Sequence, residues 1–116
     1  MKYVDGYIVP VPTKNKVAYI AVAQKAAAVF KKHGATRVVE AWNDDVQHGK
    51  TTDFYMSVKS EEGESVVFSW IEWPSKDVRD AGMKKVMEDP AMKPDGAMPF
   101  DGKRLIYGGF SPILDV

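Results

Sequence analysis

Short, strongly apolar runs alternate with amphipathic stretches along this chain, and the pattern predicts four main strands. Each run is rich in Val, Ile and aromatic residues, as strands usually are. The runs are KYVDGYIVPV at residues 2–11, ATRVVEAW at 35–42, SVVFSWIEW at 65–73 and RLIYGGF at 104–110. Two stretches with helical rather than alternating spacing separate them. Strands and helices therefore share one chain in mixed order.

The first helix is predicted between Thr13, a suitable N-cap, and His33, because the apolar residues there recur at helical spacing. Gly34 then provides the usual left-handed stop. The second helix should begin after Ser75 as N-cap and end at about Glu88, just before a proline. Both helices have clear start and stop signals.

Residues 53–59, DFYMSVK, predict a short additional strand that forms a hairpin elaboration in the middle of the chain. Residues 90–103 contain three prolines and two glycines and predict a long loop, held to the core by its apolar side chains. The resulting order predicts an α+β fold, a ferredoxin-like βαββαβ sandwich with both helices on one face of an antiparallel sheet. We expect residues 1–116 to form one domain, since this length supports a single core.

The predicted strands are apolar on both faces, although a sheet covered on one face should alternate apolar and polar residues. In residues 66–73 one face carries Val66, Phe68 and Trp70, and the other carries Val67, Ile71 and Trp73. Two helices cover only one face, and the other would leave a larger apolar patch than monomers usually expose. We therefore expect a homodimer that pairs two sheets about a two-fold axis into an α+β barrel.

Composition limits the partners of the chain. Sixteen Lys and Arg balance sixteen Asp and Glu, so the net charge is zero and nothing favours nucleic acid or an acidic membrane surface. The absence of cysteine excludes disulfides and thiol catalysis. No window reaches the run of about twenty apolar residues that spans a bilayer, and the first residues do not resemble a signal peptide. We expect a cytoplasmic protein.

Residues 99–110, PFDGKRLIYGGF, superficially resemble a phosphate-binding loop. A Walker loop needs a helix after it and Ser or Thr after the lysine, whereas here a strand follows and Arg104 stands at that position. The pair Asp101-Gly102 is typical of a turn, so we predict a turn with solvated Lys103 and Arg104. Gly108 and Gly109 predict a bulge or a close approach of another backbone.

The sequence gives little indication of a metal site or of a catalytic histidine. Asp44, Asp45, His48 and Asp53 lie on and beside one loop, but a solvated polar loop is the more common arrangement, and we predict no metal site. His33 is expected to be a favourable cation at the end of its helix. The remaining candidates, Met83 and Met87, lie one helical turn apart. Their spacing favours packing or interface contacts over a Met-lined ligand groove.

The most informative polar residues interrupt the aromatic strands. Alternation places Asp5 with Tyr7 on one face of the first strand, and Glu40 with Trp42 on one face of the second. The smaller residues Val4, Ile8, Val39 and Ala41 are then expected beneath the helices, which leaves the bulky and polar set to line the barrel. Trp70 and Tyr107 join this predicted ligand-binding set.

In such an interior, poor solvation would raise the pKa values of Asp5 and Glu40 and suit them to acid or base catalysis. The alternative is that both carboxylates pair with Arg37, Arg104 or water at a strand edge. Asp5 and Glu40 are thus weak catalytic candidates.

The stretches MKYVDGYIVPVP, VVFSWIEWPSKDVRD and MPFDGKRLIYGGF resemble the YbaA-like family of bacterial proteins of unknown function, and the resemblance covers the whole chain. It implies the dimeric α+β barrel superfamily, whose members include cofactor-free monooxygenases, haem-handling enzymes and small-molecule sensors. For this family it implies no established activity, catalytic motif or cofactor.

Three function classes remain. The first is a protein that binds or transforms a small apolar or aromatic molecule in the barrel cavity. The second is an RNA-binding module that stacks bases on the aromatic sheet face, which zero net charge and a buried dimer face disfavour. The third is a dimer whose partner is another protein. The sequence leaves open whether the chain is an enzyme, and we expect no cofactor.

Overall fold

Strands form at each of the four apolar runs in the computed structural model, which describes residues 2–116. Strand β1 spans Tyr3–Pro12, β2 spans Arg37–Trp42, β3 spans Glu64–Trp73 and β4 spans Ile106–Phe110. Helix α1 spans Lys16–Lys32, α2 spans Phe54–Ser57 and α3 spans Lys76–Glu88. Short 3-10 turns at Thr13–Asn15 and Pro90–Met92 precede α1 and follow α3.

The four strands form one antiparallel sheet in the order β2-β3-β1-β4. Both central strands are ten residues long, and each pairs with the other and with one shorter edge strand. This order and the two long helices confirm the predicted ferredoxin-like α+β fold.

The helix ends follow the predicted signals in part. Gly34 has a φ of +116° and ends α1 in the left-handed region, as expected. The Ser75 hydroxyl accepts a hydrogen bond from the Val78 amide at 3.2 Å and caps α3. Thr13 is not the cap of α1, because a 3-10 turn intervenes and the Thr13 hydroxyl bonds to that of Ser65 instead, at 2.7 Å.

The predicted strand at residues 53–59 is wrong. This segment forms the short helix α2, and the Asp53 carboxylate accepts a hydrogen bond from the Met56 amide at 2.6 Å. That cap stabilises a helical turn where the aromatic composition had suggested a strand. The segment contacts the sheet through Phe54, whose ring lies 6.2 Å from that of Phe68.

The face assignment of the strands was also wrong. Tyr7, together with Val9 and Ile71, packs in the two clusters beneath the helices, whereas Val4 and Ile8 line the opposite surface. By alternation and register, Asp5, Glu40 and Trp42 share the face of Tyr7, and Val39 and Ala41 share the face of Ile8. The expectation failed because α1 presents Ala23, Ala26 and Ala27 to the sheet, and these small side chains leave room for large rings.

The sheet surface opposite α1 and α3, here called the open face, is largely apolar, and α2 reaches it at Phe68. The groove over this face has a volume of about 830 Å³ and is lined by residues of all four strands and of the C-terminal segment. Phe68, Phe110 and Ile106 on this face are 46%, 61% and 45% exposed. Among residues 2–116, no helix has the length and apolar character that a membrane span requires.

The predicted bulge at Gly108 and Gly109 is absent, because the register of β4 with β1 runs without interruption from Val4 opposite Phe110 to Ile8 opposite Ile106. The two glycines instead let side chains of other residues lie close to the backbone of β4. A Cβ at Gly108 would lie 3.4 Å from the Phe110 ring on the open face. A Cβ at Gly109 would collide with Tyr3 and with the Arg79 guanidinium on the helix-covered face.

Candidate functional site

A row of polar side chains crosses all four strands on the helix-covered face. Glu40 of β2 lies opposite Ser69 of β3, Ser69 lies opposite Tyr7 of β1, and Tyr7 lies opposite Tyr107 of β4. Directly opposed residues of neighbouring strands point to the same face, so these four residues form one continuous line. We call it the polar row.

A cavity of about 160 Å³ lies between the polar row and α1. Three members of the row, Glu40, Ser69 and Tyr7, contribute to its floor. The rest of the lining is mainly apolar and comes from the sheet, from α1 and from the loop before β4: Val9, Tyr19, Val22, Ala23, Ala26, Ala27, Phe30, Val38, Ile71, Phe100 and Leu105. A largely apolar space with a few convergent polar groups is typical of a small-molecule site.

Glu40 is the ionisable acid of this cavity. The Tyr19 hydroxyl donates a hydrogen bond of 2.6 Å to Glu40 Oε1. One side of Glu40 remains exposed, since β2 is an edge strand, so the carboxylate lies at the cavity mouth. Displacement of water by neighbouring protein atoms raises the pKa of Glu40, while hydrogen bonds from Tyr19 and Ser69 oppose that rise. A carboxylate with a raised pKa is suited to accept a proton.

Tyr7 and Tyr19 are the two phenols of the cavity. Burial, followed by the nearby Asp5 charge, raises the pKa of Tyr7 to about 12. Burial and the hydrogen bond to Glu40 raise the pKa of Tyr19 as well. Both phenols therefore stay protonated near neutral pH and can donate hydrogen bonds. The Tyr7 ring stacks on that of Tyr107, which is 74% exposed, at 5.9 Å between centroids.

The carboxylate of Asp5 anchors α3 to the sheet. Asp5 is 2% exposed, and Oδ2 accepts a hydrogen bond of 2.9 Å from Trp73 Nε1. Arg79 of α3 donates to both oxygens at 2.7 to 3.2 Å. The predicted alternatives, Arg37 and Arg104, are not its partners: Arg37 lies 3.4 Å from Glu72, and Arg104 binds elsewhere.

The predicted ligand-binding residues divide between the two faces. Trp42 lies beneath the helices, 6.4 Å from the Tyr19 ring, with the Lys16 ammonium 5.3 Å from its own ring. Trp70 lies on the open face, where it packs on Phe68 at 5.7 Å and donates a hydrogen bond to Glu72 at 3.0 Å. Strand register places Tyr7, Trp42, Glu40 and Tyr107 on the helix-covered face and Trp70 on the other, and Tyr7 and Tyr107 also contribute to the lining of the open face beside Trp70.

The acidic loop around His48 is organised by its own backbone. The Asp53 carboxylate accepts from the Gly49 and Met56 amides, and His48 Nδ1 lies 3.7 Å from it. The His48 ring stacks on Tyr55 at 4.3 Å. Within residues 2–116, no three or more of the potential ligands His, Asp and Glu gather closely enough to hold a metal ion.

The basic residues of the phosphate-like stretch are also accounted for. Arg104 binds both oxygens of Glu64 at 2.8 and 2.6 Å and reaches Asp101 at 3.0 Å. Residues 102–104 form the predicted turn, which the Arg104 amide closes by donating to the Asp101 carbonyl at 3.3 Å, but the Arg104 side chain is only 19% exposed rather than solvated. His33 bonds to Asp89 at 2.8 Å. These contacts connect secondary-structure elements and leave no phosphate cradle.

Of the predicted pair of methionines, Met83 packs against the cluster of Ala35, Ile71 and Trp73, and Met87 is 76% exposed. Among the polar and aromatic residues of the cavity, the sequence did not assign Ser69, Tyr19, Phe30 and Phe100 to a site. Ser69 interrupts an otherwise apolar strand, and this polar interruption was the sequence signal that could have identified it as a site residue. The Phe100 ring closes over Tyr19 at 5.6 Å, and no local pattern marks that contact.

Together, the sheet order and the two covering helices define a protein with a ferredoxin-like α+β fold. The chain belongs to the family described as "Protein of unknown function (DUF1428)", which matches residues 2–102. It is 62% identical over 116 residues to the "Uncharacterized protein YbaA" of Escherichia coli K12, with 99% of each chain covered. The YbaA protein of Shigella flexneri matches with the same figures.

Two solved structures share the fold. SnoaB from Streptomyces nogalater, a cofactor-independent oxygenase, aligns with a TM-score of 0.56 at 12% identity over 99% of this chain and 96% of its own. Rv0793 from Mycobacterium tuberculosis aligns with a TM-score of 0.53 at 11% identity over 99% and 98%. These comparisons confirm the predicted family resemblance and the predicted fold class.

Proposed function

We propose that this protein binds a small, largely apolar molecule carrying one acidic hydroxyl in the cavity beneath α1, with Glu40 as proton acceptor. The observation that carries the proposal is a carboxylate, Glu40, in the lining of a largely apolar cavity, with the Tyr19 hydroxyl 2.6 Å from Oε1. This location replaces the predicted one between two sheets, because Asp5, Glu40, Tyr7 and Trp42 all lie on the helix-covered face.

The volume of the cavity defines the size of the ligand. An apolar protein cavity of about 150 Å³ can hold benzene, so a cavity of about 160 Å³ accommodates a single six-membered ring. Pockets for drug-sized ligands are larger, roughly 300 to 1,000 Å³. The occupant is therefore a one-ring molecule or an aliphatic molecule of similar volume.

The polar groups define its chemistry. Tyr19 occupies Glu40 Oε1, but a carboxylate has further acceptor sites for a ligand hydroxyl. Tyr7 and Tyr19 stay protonated and stabilise the negative charge that develops on ligand or carboxylate. SnoaB supports the proposal only in that its fold, shared at 12% identity, houses a reaction that needs no cofactor.

Phenol and toluene are matched probes, since they differ by a hydroxyl in place of a methyl group. The full chain should bind both, and Glu40→Gln should weaken phenol binding by about ten-fold, because a hydrogen bond to a charged group contributes about 1.5 kcal/mol or more. Toluene binding should stay within about two-fold. Phenol affinity of the full chain should also rise with pH as Glu40 loses its proton.

Isothermal titration calorimetry measures these affinities, and Glu62→Gln is the control because Glu62 is an exposed carboxylate on a turn. Equal phenol affinity in the Glu40→Gln variant and the full chain would contradict the role of Glu40. Failure of both probes to bind would contradict the site itself.

A homodimer formed through the open face is a second proposal, which the exposed Phe68, Ile106 and Phe110 favour. It is independent of the first, because the cavity lies on the other side of the sheet. Sedimentation equilibrium of the full chain at micromolar concentration tests it, and a monomer mass would contradict it.

A further inference from the structure

We propose that the C-terminal segment, residues 111–116, lies on the open face of a second copy of this chain and supplies part of the dimer contact. The inference rests on the homodimer proposed above and adds the element that holds it together. Two apolar residues in this segment, Ile113 and Val116, are fully exposed, and Leu114 is 76% exposed.

The position of the segment connects it to the open face. It follows β4 directly, and β4 is an edge strand. Pro112 and Leu114 lie at the margin of the open face of their own chain, beside Lys2 and Val4. Ile113 and Val116, by contrast, gain no cover from their own chain. A segment that leaves the apolar face at its rim with apolar side chains uncovered is placed to cross onto another molecule.

The area of the sheet also calls for an additional contact. Four strands spaced about 4.8 Å apart, with lengths of roughly 17 to 33 Å, give a sheet face on the order of 500 Å². A standard stable interface buries about 800 Å² on each partner. The exposed apolar side chains of the C-terminal segment add apolar contact area beyond the edge strand β4.

Charge favours a second copy as the occupant. The charged residues that line the open face are two basic and two acidic ones: Lys2, Arg37, Glu72 and Asp115. Arg37 and Glu72 already pair within the chain, and a two-fold axis places the patch opposite itself, so Lys2 of one copy and Asp115 of the other are opposite charges that can pair. Asp115, carried by the C-terminal segment, would then meet a basic side chain of the second copy. A nucleic acid or an acidic membrane would require an excess of positive charge.

Sedimentation equilibrium on four chains tests the proposal: the full chain, a chain ending at Phe110, the variant Ile113→Asp with Leu114→Asp, and the control Val17→Asp. Val17 is 81% exposed on α1, on the other side of the sheet, so it matches the exposure and chemistry of the test positions. Both altered C-terminal chains should dimerise at least ten-fold more weakly than the full chain, and the control should not change. Circular dichroism should show that every chain is folded, because the replaced side chains are exposed.

The outcomes separate the proposals. Dimers of equal strength in all four chains would overturn the role of the C-terminal segment and leave the open-face dimer standing. A monomeric full chain would overturn both. A loss of dimer in the control as large as in the test variants would show a general effect of added charge and would also overturn the role of the segment. Phenol binding, measured separately, reports on the cavity beneath α1 and does not depend on these results.

Discussion

Asp5 and Glu40 lie on the same sheet face, but their surroundings differ. Asp5 is 2% exposed, and both of its oxygens accept hydrogen bonds from Arg79. Glu40 has one side open to solvent and a hydroxyl rather than a cation as its close partner. A carboxylate fixed by a guanidinium stabilises the structure, whereas a partly desolvated carboxylate without a cation, as in Glu40, has a raised pKa.

The Asp5–Arg79 pair gives a stability prediction. Arg79→Met should lower the free energy of unfolding by about 3 kcal/mol, because it leaves the buried Asp5 charge without its cation. Lys25→Met removes an exposed pair with Asp95 at 3.1 Å and should cost less than about 1 kcal/mol. Urea unfolding of both variants at one protein concentration measures the difference. Equal losses would contradict a structural role for Asp5.

At the scale of elements, α1 and β4 create space in opposite ways. α1 presents alanines to the sheet and leaves the cavity, whereas β4 uses glycines to let neighbouring side chains approach its backbone. Gly109 allows Tyr3 and Arg79 to lie against β4, and the guanidinium carbon of Arg79 is 5.0 Å from the Tyr3 ring. The short edge strand thus contributes to the contact that anchors α3.

Adjacent glycines of β4 provide a matched test. Gly109→Ala should destabilise the fold by about 1 to 3 kcal/mol, because its Cβ would lie 2.7 Å from Arg79 Nη2 and 2.8 Å from Tyr3 Cε2. Gly108→Ala should change stability by less than about 1 kcal/mol, because its Cβ would meet only the partly exposed Phe110 ring at 3.4 Å. Thermal unfolding at the same protein concentration compares them. A larger loss for Gly108→Ala would contradict the proposed close contact on the helix-covered face.

At the scale of the whole molecule, the sheet has one face covered by α1 and α3, with a cavity beneath α1, and one open, largely apolar face. The strands, both long helices and their order could be predicted from the sequence, because their signals are local. These signals are the spacing of apolar residues, the N-cap Ser75 of α3 and the stop Gly34 after α1. The face that each strand turns to the helices could not. Alternation groups Asp5 with Tyr7 but does not say which group lies beneath α1, and the alanines of α1 determine that only after packing.

The candidate site was predictable to a similar extent. Glu40 and Tyr7 were identified from strand alternation, and the register adds Ser69 between them. Trp70 was assigned to the same site but lies on the other face, because it shares the parity of Phe68. Phe100 comes from a loop 60 residues along the chain from Glu40, so only the folded structure brings the two together.

Occupancy of the cavity beneath α1 is the central claim, and phenol binding to two alanine variants of α1 tests it most directly. Ala27 lines the cavity and Ala28, its neighbour, is exposed. Ala and Leu have similar helix propensity, so Ala27→Leu and Ala28→Leu should both preserve α1. Calorimetry should show phenol binding to the full chain and to Ala28→Leu with equal affinity, and at least a ten-fold loss for Ala27→Leu. Equal affinity in all three would contradict a ligand site beneath α1.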